Sequence, residues 1–164
     1  MEQSLQRLRS VVNPTRKGLA DILVEEAARL TGSTMAYFAV TDEANEVLTM
    51  LAWSKTAMAI CAVQEMPIVY PIEATGLWGD CIREGKPVIT NDYPGSTRPT
   101  KKGCPKGHVP VLRHMNVAPV SGGRMRGILG VGNKAEPYTE ADAALLQAFA
   151  DAAWVLFEKA SDHA

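Results

Sequence analysis

Between Lys101 and His114 the sequence KKGCPKGHVPVLRH gathers three lysines, an arginine, two histidines and a cysteine. Three chemistries suit that set. Lys101, Lys102, Lys106, His108 and Arg113 would hold a carboxylate, phosphate or other anion, Arg113 through its planar fork and the lysines as point charges. Solvated loop lysines are the competing account of the three lysines, whereas His108 and Arg113 approach the following strand. Cys104, near Lys102, Lys106 and His108, has the electropositive surroundings that lower a thiol pKa and favour the nucleophilic thiolate. Cys104, His108 and His114 are also metal-ligand types, but their spacing matches no closed zinc pattern, and a fourth ligand would have to come from Cys81 or Asp92. His114 alternates with Asn116 at the head of a strand, which a structural histidine explains. The sequence contains no Ser-His-Asp, Walker or HExxH arrangement, so hydrolase and nucleotide-hydrolysis readings have no residues to stand on.

The elements that must position these residues follow from periodicity. Apolar residues at three-to-four spacing from Ser4 to Leu30, interrupted at Asn13-Pro14, predict a short helix and then a longer one ending near Gly32. Residues 34–40 and 46–53, rich in aromatic and branched side chains around the polar TDEAN, predict a β-hairpin. The segment 54–65 reads equally as a short helix or an irregular strand, and the prolines of 67–72 keep that stretch extended. GLWGDCIREGKP is a short amphipathic helix: Leu77, Trp78, Cys81 and Ile82 share a face, Gly85 suits a left-handed cap and Pro87 forbids continuation. VIT follows as a strand. After the long aperiodic stretch from Asn91 to about Pro110, MNVAPV and RMRGILGVG flank Ser121-Gly122-Gly123, where a glycine pair meets the positive φ demands of a tight hairpin. Thr139 and Asp142 form a capping box opening a helix that runs to about Lys159. The order predicts an α+β fold: an antiparallel sheet, terminal helices on one face, and the short helix with the long loop on the other.

Composition bounds the reading. A chain of 164 residues, 46% apolar, is one domain able to bury a real core. A formal charge of −1 predicts neither nucleic acid nor an acidic membrane as partner. Three cysteines without a CxxC pair, no signal segment and no long apolar run lead to the expectation of a reduced, cytoplasmic protein.

Near the C-terminus NKAEPYTEAD supplies Asn133, Lys134, Tyr138 and Asp142. This run resembles the terminal motif of GAF domains, the small-molecule-sensing modules of many signalling proteins. In cyclic-nucleotide-binding members the run closes on Asp-Glu; here Ala143 follows Asp142. The family's lysine and aspartate form a structural ion pair, so the match at Lys134 and Asp142 implies the fold and not a cyclic nucleotide. LAWS, GLWGDCIREGKPVITNDY, KGHVPVLRHMNV and GGRMRGILGVGNK are similar to GAF modules that accompany histidine kinases, diguanylate cyclases and PAS domains in bacterial sensors. The resemblance divides the chain into an N-terminal helical extension (1–17), a GAF domain (18–160) and a tail (161–164).

The resemblance implies a pocket between the sheet and the short helix with its loop. Its candidate residues are Trp53, Trp78, Asp80, Cys81, Asn91, Asp92, Tyr93, His108 and Arg113. The tryptophans would supply apolar surface and the Asn91-Asp92-Tyr93 run a few polar groups; two core tryptophans are the competing account. The expected ligand is a small polar or anionic metabolite, and no cofactor or metal is implied. Bilin attachment has no Cys-His dipeptide to use, while haem ligation by a histidine or cysteine stays open, with His163 in the tail. The expected role is that of a sensor rather than an enzyme, working as a homodimer through terminal-helix residues Leu5, Leu8, Val12, Val155 and Leu156, and acting on a histidine kinase or another signalling partner or as a piece of a longer sensor. Two alternatives stand beside it. One is a thiol enzyme like the free methionine-(R)-sulfoxide reductases, which place two cysteines around the short helix where this chain has only Cys81. The other is a ligand-free dimerisation module.

Overall fold

A computed structural model describes residues 1–61, 68–104 and 106–162. The aromatic and branched runs pair as expected: β1 (Met35–Thr41) lies antiparallel to β2 (Val47–Trp53), with Tyr37 opposite Trp53. Two helices precede this hairpin, α1 (Glu2–Arg9) and α2 (Arg16–Thr31), separated at Asn13-Pro14 as the periodicity predicts. The Thr15 hydroxyl accepts from Gly18 N at 3.0 Å and caps α2. After β2, the Ser54 hydroxyl caps a short helix, α3 (Lys55–Ile60), which settles the ambiguous segment as helical up to Ile60; residues 62–65 of that segment lie outside the described ones. β3 (Val69–Pro71) pairs with β2. A 3-10 turn at Leu77–Gly79 leads into α4 (Asp80–Glu84), and β4 (Val88–Thr90) follows.

Beyond the long loop, β5 (His114–Val117) pairs with both β4 and β8 (Gly127–Gly132). Between β5 and β8 the glycine-pair hairpin forms a small ribbon of β6 (Val120–Ser121) and β7 (Arg124–Met125), with Gly122 and Gly123 at φ 60° and 73°. Side chains with a Cβ resist two consecutive positive φ values, which is why the pair is glycine. α5 (Glu140–Glu158) starts from the predicted capping box: the Thr139 hydroxyl accepts from Asp142 N at 3.2 Å, and the Asp142 carboxylate accepts from Thr139 N at 2.9 Å. The main sheet is antiparallel in the order β3-β2-β1-β8-β5-β4.

Alternation divides the sheet into two faces. Phe38, Met115, Val117 and Leu129 point to α1, α2 and α5 and pack there with Leu23, Val24, Leu146, Phe149 and Phe157. Each such side chain, fully removed from water, stabilises the fold by about 1.5–3 kcal/mol. α1 joins this core through Leu5 and Leu8, both buried, and through polar ties to α2: Arg7 to Glu26 at 2.5 Å and Arg29 to the Ser4 hydroxyl at 2.7 Å. Leu5 and Leu8 therefore pack inside the chain, and of the residues expected at a dimer surface Val12 and Val155 are the exposed ones. The opposite face carries Leu48, Ile72, Cys81, Ile82 and Ile128, with Tyr37, Trp53, Tyr70 and Trp78 packed beside them. No helix among the described residues is long and apolar enough to cross a membrane.

Candidate functional site

On that second face a cavity of about 440 Å³ opens between the sheet and the long loop. Its floor is the alternate set of strand residues to the one that meets the helices: Met35 and Tyr37 of β1, Met50 and Trp53 of β2, and His114 of β5. Tyr70, beside the sheet edge, and Trp78, in the 3-10 turn, form one wall. Trp78 meets Tyr37 and Tyr70 edge-on, at centroid distances of 5.9 and 5.2 Å and interplanar angles of 88° and 87°, an arrangement that sets ring edges against ring faces and fixes the wall's shape. The loop supplies the mouth, where Tyr93, Cys104, His108 and Val109 close over the floor.

The loop is held in place by buried charge. The Asp80 carboxylate at the start of α4 accepts from Arg83 Nε at 2.9 Å, Arg98 Nη1 at 3.2 Å and the Thr100 hydroxyl at 2.8 Å, the last two from the loop itself. Arg98 also pairs with Glu84. Lys101 and Lys102 donate to the carbonyls of Pro94 and Glu73, at 2.6 and 2.9 Å. Val109 is buried under the loop, and Tyr93 N donates to Leu112 O at 2.8 Å, closing the loop's base.

Two histidines of opposite character face the cavity. At the mouth, His108 donates through Nδ1 to its neighbouring carbonyl, Val109 O, at 2.7 Å, and interacts with Cys104. The Cys104 thiol pulls the His108 imidazole up to about 9, and the imidazole in turn, helped by the Tyr93 hydroxyl and the Lys101 charge, lowers the thiol below its ordinary value. The Cys104 sulfur lies 3.6 Å from Tyr93 Oη. Cys104 and His108 thus form an interacting pair at the solvent-facing rim, each favouring the charged form of the other. On the floor, burial pushes His114 down to about 4, so its imidazole is neutral. It is locked by a chain of hydrogen bonds in which Tyr37 Oη donates to Asn116 Oδ1 at 2.5 Å and Asn116 Nδ2 meets His114 Nδ1 at 2.7 Å. Gly130 lies where this chain crosses β8, and a Cβ there would overlap the Tyr37 ring and the Asn116 carboxamide.

Of the residues expected from sequence, Trp53, Trp78, Tyr93 and His108 line the cavity and the other five do not. Asp80 is the loop anchor just described. Cys81 is fully buried among Ile72, Ile82 and Val88, and burial pushes its thiol up to about 12. Asn91 ties the end of β4 to the approach of α5, donating to Tyr138 O at 2.9 Å and accepting from Tyr138 N at 2.7 Å. Asp92 accepts from Gly95 N at 3.0 Å within a turn. Arg113 donates to the carbonyls of Lys134 and Ala135, at 3.3 and 2.6 Å, and so does not join His108 at an anion site. Lining residues outside the expected set include Met35, Tyr37, Met50, Cys61, Tyr70, Cys104 and His114. Strand alternation in residues 35–37 is the available signal for two of them, and the sequence marks Cys104 as a reactive thiol or metal-ligand type. Among the described residues no three His, Cys, Asp or Glu side chains cluster as a metal site.

Residues 14–158 match the family model described as GAF domain. The chain belongs to the GAF domain family. The ion pair implied by its terminal motif is present, with Lys134 Nζ 2.8 Å from both Asp142 oxygens. This GAF domain is 40% identical over 157 residues to a methyl sulfide methyltransferase-associated sensor of Methanosarcina acetivorans, an alignment covering 96% of the chain but only 16% of that relative. Its fold is shared by the GAF domain of an Acinetobacter phosphoenolpyruvate-protein phosphotransferase (TM-score 0.74, 18% identity, 96% of this chain and 89% of that one). A methyl-accepting chemotaxis protein segment (TM-score 0.74, 16% identity, 96% of each chain) and the substrate complex of a free methionine-R-sulfoxide reductase from Neisseria meningitidis (TM-score 0.68, 19% identity, 96% and 85%) share it too.

Proposed function

We propose that this GAF domain is a sensory module that binds a small molecule in the cavity between sheet and loop and transmits its occupancy to the terminal helices. The observation that carries the reading is the cavity itself, of ligand size and walled by interlocked aromatic rings and methionines. That lining supports a ligand with a mostly apolar body and few polar groups, a different class from the polar or anionic metabolite expected from the basic loop. A sensor-named relative at 40% identity supports the sensory role, although the chain spans about one sixth of it, so the output partner, a histidine kinase or another signalling protein, belongs to the proposal.

A route for the signal runs through β1. Tyr37 lines the cavity, while its neighbour Phe38 points the other way and meets Phe157 of α5 edge-on at 5.4 Å and 84°. A ligand that shifts β1 or orders the loop changes the seat of α5, biasing one arrangement of the terminal helices over another. Exposed Val12 and Val155 offer apolar contacts for a second copy. The test is a thermal-shift screen of small apolar and amphipathic compounds. A ligand at a hundred times its Kd stabilises by about 2.7 kcal/mol, roughly 5–10 °C here. The shift should vanish in Trp78→Ala; silence across the panel would sink the reading.

One observation favours a second reading: Cys61 and Cys104 are both free thiols lining the same cavity. In a reductase the thiolate would attack a sulfoxide sulfur, and a second thiol would close a disulfide, leaving thioether and water. Adding free methionine-R-sulfoxide to reduced protein would then consume two thiols per chain and form methionine; unchanged thiol counts remove this reading.

A further inference from the structure

On the cavity floor one polar atom is left over. His114 Nε2 is buried and has no hydrogen-bond partner among the described residues, and the residue, 6% exposed, is one of those lining the cavity. Its protonation follows from the chain behind it. The Tyr37 hydroxyl donates to Asn116 Oδ1. The Asn116 carboxamide is thereby oriented with Nδ2 toward His114, and that N–H donates to Nδ1. A neutral imidazole that accepts at Nδ1 carries its proton on Nε2. The leftover atom is therefore a donor. A buried donor without an acceptor is destabilising, and a ligand oxygen placed there would relieve that cost.

We infer that His114 Nε2–H is the polar anchor of the ligand site, and that the ligand is a neutral, mostly apolar molecule bearing a carbonyl-type acceptor oxygen. This deepens the sensory reading and rests on it. The acceptor is neutral because the surrounding wall is Met35, Met50, Trp53, Tyr37 and Trp78, with no lysine or arginine among the lining residues. A carboxylate would have to shed its hydration for one uncharged donor, an exchange that burial penalises heavily. The cationic His108 is at the exposed rim, paired with Cys104.

The probes are acetophenone and ethylbenzene, nearly equal in shape and differing in the oxygen, with benzoate as the anionic counterpart. Affinities are read from tryptophan fluorescence, since Trp53 and Trp78 line the cavity. The His114 ring is followed by long-range ¹H–¹⁵N NMR, which reports the tautomer in the unaltered protein. Acetophenone is expected to bind about tenfold more tightly than ethylbenzene, the yield of about 1.4 kcal/mol from one satisfied donor, and to move the Nε2 resonance while leaving Nδ1 in place. In His114→Phe the preference should fall to about one. Equal binding of the two neutral probes would overturn the anchor while leaving the cavity as a ligand site. Tightest binding of benzoate, or an NMR signature with the proton on Nδ1, would overturn the neutral-acceptor inference. No binding of any probe would overturn both this inference and the sensory reading.

Discussion

Asp80 separates a loop anchor from a ligand contact, and Asp80→Ala tests which it is. The carboxylate is 4% exposed and holds Arg83, Arg98 and Thr100 at once. Removing one partner of a buried ion pair costs about 3–5 kcal/mol because the remaining charge is left without compensation. Here the guanidiniums of Arg83 and Arg98 are 26% and 38% exposed, so water takes up part of their lost solvation and the lower end applies, about 3 kcal/mol. Arg83 also keeps its bonds to the carbonyls of Ile72 and Gly76, at 2.8 and 2.6 Å, so the 3-10 turn and α4 should persist while the loop comes free. For a domain of this size the melting temperature should fall by about 6–12 °C. Trypsin should cut more rapidly after Lys101 and Lys102. Arg98→Met, which removes the bonds to Asp80 and Glu84 but leaves Arg83 and Thr100 on Asp80, should cost less than half as much. A variant that melts within 2 °C of the parent and resists trypsin equally would refute the anchor and return Asp80 to the candidate ligand contacts.

Three further outcomes follow from the same geometry. His114 is held near 4 by burial and titrates at about 6.5 when unfolded, so between these values the unfolded chain binds the extra proton. Its contribution is complete above pH 6.5 and is lost as pH falls toward 4, to about 3 kcal/mol, and denaturant titrations of His114→Phe should show a correspondingly shallower acid loss. The Cys104 thiol is lowered by His108, so iodoacetamide should alkylate it at a pH where an ordinary thiol is slow, and His108→Ala should shift that rate profile upward; mass mapping should find Cys81, raised by burial to about 12, unmodified in the folded protein. Gly130→Ala should destabilise by about 1–3 kcal/mol, because its methyl must displace the Tyr37 ring or the Asn116 carboxamide, and the His114 resonances should move with it; an unperturbed spectrum would mean that the strands absorb the methyl.

What the sequence determined by itself was whatever depends on near neighbours. The Thr139 and Asp142 capping box, the Gly122-Gly123 turn, the break at Asn13-Pro14 and the pairing of residues 35–41 with 47–53 each rest on spacings of a few residues or on strand alternation, and all are present. The Lys134–Asp142 pair was implied by the resemblance of the terminal run to GAF domains, and it is present. The long-range choices lay with tertiary structure. Nothing local tells Asp80 that its partners will arrive from residues 98 and 100, or Arg113 that the carbonyls of Lys134 and Ala135 will be nearer than any ligand. The floor of the cavity was hidden for the same reason, since Met35, Met50 and His114 come together only once β1, β2 and β5 take their places in one sheet. Side-chain direction is set by the strand, but what stands opposite is set by the sheet order and by the course of a loop pinned through buried charge.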